Sequence, residues 1–335
     1  MQKTFEENNK TFQKYRRRIL LIVFVLLTAM AFLALFTSYQ LLLSRALSRY
    51  LGIKNVSAEK IASVIRGAEM NANNIFGEVS RNLDDPEGVV SALKSKANLN
   101  LDVRGYFAAF VPDYFPEKGT WFEPYIWQPE YGGFEYRQVG SARHNYTKSP
   151  WFIQANETGM SSWSEPYYYY DGTSMSGHYC TFVKPLYDAK GDLACVCGAD
   201  MKFEWLIKEL KWVDESSKSN RILNKYQAFA DFNFYTVLLN NDGACLAHPE
   251  EKELTITDED VLRDLQQGRS GIATSLDIDG KTCVVYYGPI EFVNWSIAVI
   301  VPLNDILKPM LTIAFLFISM VIISMLIVWF VCKRT

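Results

Sequence analysis

Histidine and cysteine are scarce in this chain of 335 residues, with three of the first and six of the second. His144, His178 and His248 are scattered without the spacing of metal ligands, which argues against a zinc centre. No nucleophile elbow, H-E-x-x-H pair or phosphate-cradling glycine loop occurs, so little material is present for covalent or acid–base catalysis, and no enzyme activity and no cofactor are expected within these residues. A net charge of -3 gives no electrostatic footprint for nucleic acid. Six cysteines are too few for a disulfide-built fold of this length. Cys180, Cys195 and Cys197 on two facing strands are candidates for one bridge and Cys245 with Cys283 for another, with free buried thiols as the alternative.

Charge is missing altogether from two stretches, Ile19 to Leu43 and Met310 to Val331. Each exceeds the ~20 apolar residues that cross a bilayer core. The first is longer than the apolar region of a cleaved signal peptide, which runs to ~7–15 residues, and is expected to be an uncleaved anchor. Lys14, Arg16, Arg17 and Arg18 before the first run and Lys333 and Arg334 after the second place both termini in the cytoplasm. Residues 44–308 then lie outside it, in a periplasm or extracellular space.

What the chain has in abundance is aromatic rings, 14% of its residues. After the first apolar run, Ile61, Val64, Ile65, Ala68, Ala72, Ile75, Phe76, Val79 and Leu83 recur at three and four, the stripe of a long amphipathic helix that Ser57 can cap and Asp84-Asp85-Pro86 ends. A shorter helix is expected from Pro86 to about Ala97, then a central strand from Val103 to Pro112. From Tyr114 to Tyr146 the pattern dissolves into proline, glycine and rings, as in a binding loop or lid. Residues 178–200 form a hairpin through a Lys190-Gly191 turn, preceded by a ring-rich segment with Tyr167, Tyr168, Tyr169 and Tyr170 that closes on Asp171-Gly172. A wall of rings with a few polar groups is the usual make-up of a small-molecule site. Extended backbone alternates faces, so at most two of the four tyrosines face it. Trp163 reads as core; Asp200 reads as a helix cap, a ligand contact, or both. Asp188, Asp242 and Asp279 read as turn formers. A helix from Met201 toward Val213 and another from Arg221 to Ala230 lead to a second antiparallel sheet, with a short helix over Asp258–Gln266.

The order of span, long helix, ring-rich unit, smaller unit and span resembles the double-CACHE sensor regions of bacterial transmembrane receptors. The resemblance is carried by W-S-E-P-Y at Trp163–Tyr167, P-L-Y-D at Pro185–Asp188, G-A-D-M-K-F-E-W-L at Gly198–Leu206 and L-N-N-D-G-A-C-L-A-H-P at Leu239–Pro249. It implies an α+β fold: two tandem PAS-like antiparallel-sheet units on a long N-terminal helix, flanked by two transmembrane helices. The expected boundaries are a cytoplasmic tail (1–18), first transmembrane helix (19–43), stalk and connecting helix (44–97), membrane-distal ligand-binding unit (98–213), membrane-proximal unit (214–308), second transmembrane helix (309–332) and a cytoplasmic end (333–335). It further implies a small-molecule metabolite as ligand, of amino-acid, amine or carboxylate type, a homodimer, and a cytoplasmic output domain or partner protein such as a kinase, cyclase or phosphatase. A structural or protein-binding ectodomain is the rival reading.

In amino-acid-binding members of that family an arginine two residues before a tryptophan grips the carboxylate, and a Tyr-x-Asp plus a later aspartate hold the ammonium. Trp151, Tyr167 and Asp200 fall on matching positions here, while Ser149 stands where the arginine would be and Tyr169 where the first aspartate would be, with Asp171 displaced by two. Arg143 and Arg137 are the loop cations left to replace the missing clamp. The candidate ligand-binding residues are therefore Tyr146, Trp151, Tyr167, Tyr169, Asp171 and Asp200.

Overall fold

The first helix, α1, runs without a break from Gln2 to Val79 in a computed structural model that describes residues 2–129, 132–170, 175–219 and 233–334. Ser57 is therefore not a cap but an interior residue whose Oγ bonds the Ile53 carbonyl at 2.8 Å. The apolar stripe begins a turn and more before it, at Tyr50 and Ile53, so nothing ends the helix there. The stripe predicted from Ile61 to Val79 is buried as a single face. At the far end Asp85 caps α2 (Pro86–Ser95), accepting from the Glu87 N–H.

Two antiparallel sheets follow. The first has the order β3-β2-β1-β7-β6-β4, with β5 also paired to β6. Its strands are β1 (Val103–Phe110), β2 (Pro124–Trp127), β3 (Glu135–Gln138), β4 (Ser162–Trp163), β5 (Tyr167–Tyr169), β6 (Gly177–Tyr187) and β7 (Leu193–Lys202). The segment expected to be an irregular loop thus supplies two strands, because Tyr125, Ile126 and Trp127 pair with Phe107, Tyr106 and Gly105. Helix α3 (Pro150–Thr158) lies over one face and α4 (Glu204–Ser219) leads away. The second sheet, β10-β11-β12-β8-β9, consists of β8 (Tyr235–Asn240), β9 (Cys245–Ala247), β10 (Gly271–Ile278), β11 (Lys281–Pro289) and β12 (Trp295–Pro302), with α5 (Glu259–Gln266) beside it. Strand β12 passes directly into α6 (Leu303–Arg334). The helix expected at Arg221–Ala230 lies outside the described residues. Within α1 and α6, two segments, Gln13–Val79 and Leu303–Phe330, are long and apolar enough to cross a membrane.

Period-two alternation divides the first sheet into two faces. Tyr106, Ala108 and Phe110 of β1, Cys195, Cys197, Ala199 and Met201 of β7, and Cys180 and Phe182 of β6 pack toward α1 and α2. Phe107, Ala109, Tyr125, Trp127, Val183 and Val196 pack on the opposite face with Trp151, Phe152 and Ala155 of α3. Asn71 pins α1 to the sheet by donating to the Tyr106 hydroxyl at 2.7 Å, and the Trp163 indole donates to Glu69 at 2.7 Å. Trp163 is core, buried against Phe182 as the sequence suggested. The second sheet meets α1 through Tyr50 and Ile53, which pack with Tyr286, Val299, Val301 and Ile306. Phe203 against Trp295 joins the two units edge to face.

Register corrects the first cysteine pairing. Cys180 stands opposite Met201, whereas Cys197 stands opposite Lys184 and Cys195 opposite Leu186. Four residues of strand, about 13 Å, separate Cys180 from the place where it would face Cys197, too far for a bridge. Cys245 and Cys283 are on strands with two others between them, and both thiols are free.

Candidate functional site

A cavity of about 560 Å³ opens on the α3 face of the first sheet, within the usual range for small-molecule sites. Its floor is Phe107, Tyr125, Tyr179 and Asp200; Trp151, Gln154 and the N-terminus of α3 form one wall, the segment Ser164–Tyr170 another, and Glu123, Val139 and His144 a third.

Asp200 is on β7, two residues before its end, and starts no helix; α4 begins only at Glu204. The cap reading is thereby replaced. Its carboxylate instead accepts from the Thr181 hydroxyl at 2.5 Å and the Tyr125 hydroxyl at 2.9 Å, while Tyr167 Oη lies 2.8 Å from the same Thr181 oxygen. Cross-strand register makes this network: Asp200 is directly opposite Thr181 on one side and Gly105 on the other. Gly105 is required there because a Cβ would lie 2.2 Å from the Tyr125 hydroxyl, which crosses β1 at this point. A Cβ at Gly198 would likewise lie 2.1 Å from the Phe107 ring. Burial pushes the Asp200 carboxyl up to about 6, against the hydrogen bonds, which lower it.

Glu123 immediately precedes β2 and shares the face of Tyr125. It is 3% exposed, and its Oε2 has no hydrogen-bond partner; His144 Nε2 is 3.6 Å away, outside bonding range. Burial and the neighbouring Asp200 push this carboxyl well above the ordinary range. Burial also lowers the His144 imidazole, which favours the neutral ring.

Of the six candidates drawn from the sequence, four line the cavity: Trp151, Tyr167, Tyr169 and Asp200. Tyr146 does not. It is fully buried behind the wall, packs on Trp121 and Phe152, and its hydroxyl donates to the Phe110 carbonyl at 2.6 Å. Asp171 lies outside the described residues. Tyr168 and Tyr170 also border the cavity, yet both rings are largely exposed, as alternation requires. Neither Arg137 nor Arg143 is among the lining residues; Arg137 lies over the Trp127 ring and donates to Met175. Sequence reasoning missed Glu123, Tyr125, His144 and Tyr179. The parity of Glu123 with Tyr125 was available, but only once β2 was recognised as a strand. Among the described residues no group of three or more His, Cys, Asp or Glu could hold a metal ion.

Fold and cavity together resemble those of receptor sensor domains. Residues 89–208 match the family model described as "Methyl-accepting chemotaxis protein-like, first PDC sensor domain". The whole arrangement is similar to the periplasmic sensory domain of the Campylobacter jejuni chemoreceptor Tlp1, at TM-score 0.60 and 16% identity over 78% of this chain and 96% of that one. It is also similar to the ligand-binding domain of the Pseudomonas fluorescens chemoreceptor CtaA in complex with L-isoleucine, at TM-score 0.52 and 20% identity over 78% and 95%. An extracellular domain assigned to a histidine kinase, mmHK1S-Z2, matches at TM-score 0.58 and 20% identity over 80% and 99%. No curated protein matches. The double-CACHE resemblance stands: residues 89–208 match a PDC sensor-domain model, and the fold is shared with extracellular domains of chemoreceptors and histidine kinases.

Proposed function

We propose that the chain is the extracytoplasmic sensor part of a two-span membrane receptor. In this reading residues 98–213 bind a small polar metabolite of amino-acid, amine or carboxylate type, residues 214–308 relay the response, and both termini are cytoplasmic. The observation that supports it is the hollow between ring-rich cover and sheet, with Trp151, Tyr167, Tyr169 and Asp200 turned into it. The complex of CtaA with L-isoleucine shows that a related fold takes a small amino acid. A purely adhesive ectodomain would place these rings in an exposed patch, whereas Trp151 and Tyr125 are buried.

The relay follows from continuity. Helix α1 carries one wall of the distal core and one span on the same rod, and β12 passes into the second span without a loop. The W-S-E-P-Y segment touches both units: Ser164 Oγ accepts from the Thr181 N–H beside the cavity, and Glu165 accepts from Asn240 of β8 at 3.2 Å. A ligand that favours one position of this segment biases the proximal sheet and hence the spacing of α1 and α6. It does so only by its difference in affinity for the two states. A homodimer through the exposed α1 face, coupled to a cytoplasmic output domain or partner, completes the proposal; no reaction is assigned to these residues.

The test is thermal unfolding of the full chain in nanodiscs against a library of amino acids, amines, nucleobases and carboxylates. A ligand at 100 times its dissociation constant adds about 2.7 kcal/mol. A hit that persists undiminished in both Trp151→Ala and Asp200→Ala refutes the site; a library without any hit refutes the sensor reading.

A further inference from the structure

The cavity's charge balance narrows its occupant, an inference that rests on the sensor reading above. Three carboxylates, Glu123, Glu165 and Asp200, line it, and among the described lining residues there is no lysine or arginine. Two of these acids have different circumstances. Asp200 is satisfied by the hydroxyls of Thr181 and Tyr125. Glu123 is equally buried, yet its Oε2 makes no hydrogen bond, the His144 Nε2 standing 3.6 Å away. A buried carboxyl oxygen without a hydrogen-bond partner is a costly arrangement, and a partner supplied from outside the chain would relieve it.

We infer that Glu123 is the counter-ion for a small organic cation that carries no carboxylate, held between Glu123 and Asp200 against the rings of Tyr125, Trp151, Tyr167 and Tyr169. Three features agree. The position two residues before Trp151 is Ser149, whose side chain makes no cap hydrogen bond and carries no charge, so no cation is available there for a ligand carboxylate. The aromatic faces are negative and attract an ammonium or guanidinium in a desolvated site. His144, whose Nε2 is 3.6 Å from Glu123, is held toward its neutral form by burial, which weakens it as a counter-charge to the acid. The opposing feature is the N-terminus of α3 at Ser149 and Pro150, which favours an anion. Its effect is that of a fractional charge, set against three acidic side chains that ionise on pairing with a cation, and Pro150 offers no N–H.

Because burial favours the protonated form of Glu123, binding is written as an exchange: the carboxylic acid gives its proton to solvent and the resulting carboxylate pairs with the incoming ammonium. Affinity for an amine therefore rises with pH until Glu123 and Asp200 are both ionised in the free protein.

The experiment uses matched ligand sets on the full chain in nanodiscs, read by calorimetry and thermal unfolding: isoamylamine, leucine and isocaproate; phenethylamine, phenylalanine and phenylpropionate; agmatine and arginine; and choline. The expected result is that at least one amine or choline binds, and that the amine exceeds its parent amino acid by about tenfold or more, with the carboxylates silent. Glu123→Gln, which keeps the shape, should cut that affinity by about tenfold or more while the ligand-free protein melts no lower. An amino acid that binds as tightly as its amine, or a bound carboxylate, overturns the inference and leaves the sensor reading intact. Silence from every probe overturns both. Amine binding unaffected by Glu123→Gln overturns the role of Glu123, and should that variant fail to fold, the wild-type ligand sets decide alone.

Discussion

Asp200→Asn separates the cost of the site from its use. The Asp200 carboxyl is 7% exposed and faces the hydroxyls of Thr181, Tyr125 and Tyr167, the Cys180 thiol and the Glu123 carboxyl. Burial raises it from 3.8 to about 6. A carboxyl whose folded value lies above its unfolded one contributes most to stability when protonated and loses that contribution as pH rises through the interval, here from about pH 4 to about pH 6. The full loss is on the order of 3 kcal/mol above that window. An amide removes it, but an amide has one acceptor oxygen for two hydroxyl donors, and the lost bond costs about 1 kcal/mol or somewhat more. The variant should therefore be more stable than the wild type by about 1–2 kcal/mol at pH 8, a rise of roughly 2–6 °C in Tm, and the advantage should vanish near pH 4. Ligand-induced stabilisation should disappear at the same time, since the charge that binds is the charge that destabilises. Thermal unfolding of both proteins at the two pH values, with and without ligand, reads all of this. A variant that melts below the wild type by the same margin at both pH values refutes the reasoning, because it would mean that the hydrogen bonds outweigh the buried charge.

Trp151→Phe should keep the packing on Phe107 and Phe152 and weaken a bound cation by a few-fold to about tenfold, as expected for the poorer ring face, in the same calorimetric titration. Gly105→Ala should drive the Tyr125 hydroxyl off Asp200, costing about 1–3 kcal/mol of stability and most of the ligand affinity, measurable by denaturant unfolding and titration. Asp214→Ala removes the acceptor that holds the Thr236 N–H and hydroxyl at 2.9 and 2.6 Å and should cost about 2–3 kcal/mol, seen as a lower Tm with ligand affinity unchanged.

Part of the cavity lining was legible in the sequence. Trp151, Tyr167, Tyr169 and Asp200 fall at positions implied by the double-CACHE resemblance, and alternation along the tyrosine run separated Tyr167 and Tyr169 from the more exposed Tyr168 and Tyr170. Tyr146 was misplaced because closeness in sequence to Trp151 says nothing about direction: the 3₁₀ turn at Tyr146–Lys148 aims the phenol back at the β1 carbonyl of Phe110. Glu123 escaped notice because a glutamate in a proline- and aromatic-rich loop is by default solvated.

Patterns that depend on near neighbours were decided by the sequence alone. Two uncharged runs and a stripe at three and four follow from helix geometry applied to residues a few positions apart, and the stripe from Ile61 to Val79 is buried where the pattern put it, although the helix that carries it starts far earlier. Tertiary structure decided what depends on partners distant in the chain. Pairing of β2 with β1 turned Glu123 inward, strand register separated Cys180 from Cys197, and the opposition of Thr181, Asp200 and Gly105 assembled the acid and its hydroxyls. Burial and charge state belong to the space a side chain ends in, and only the folded sheet creates that space.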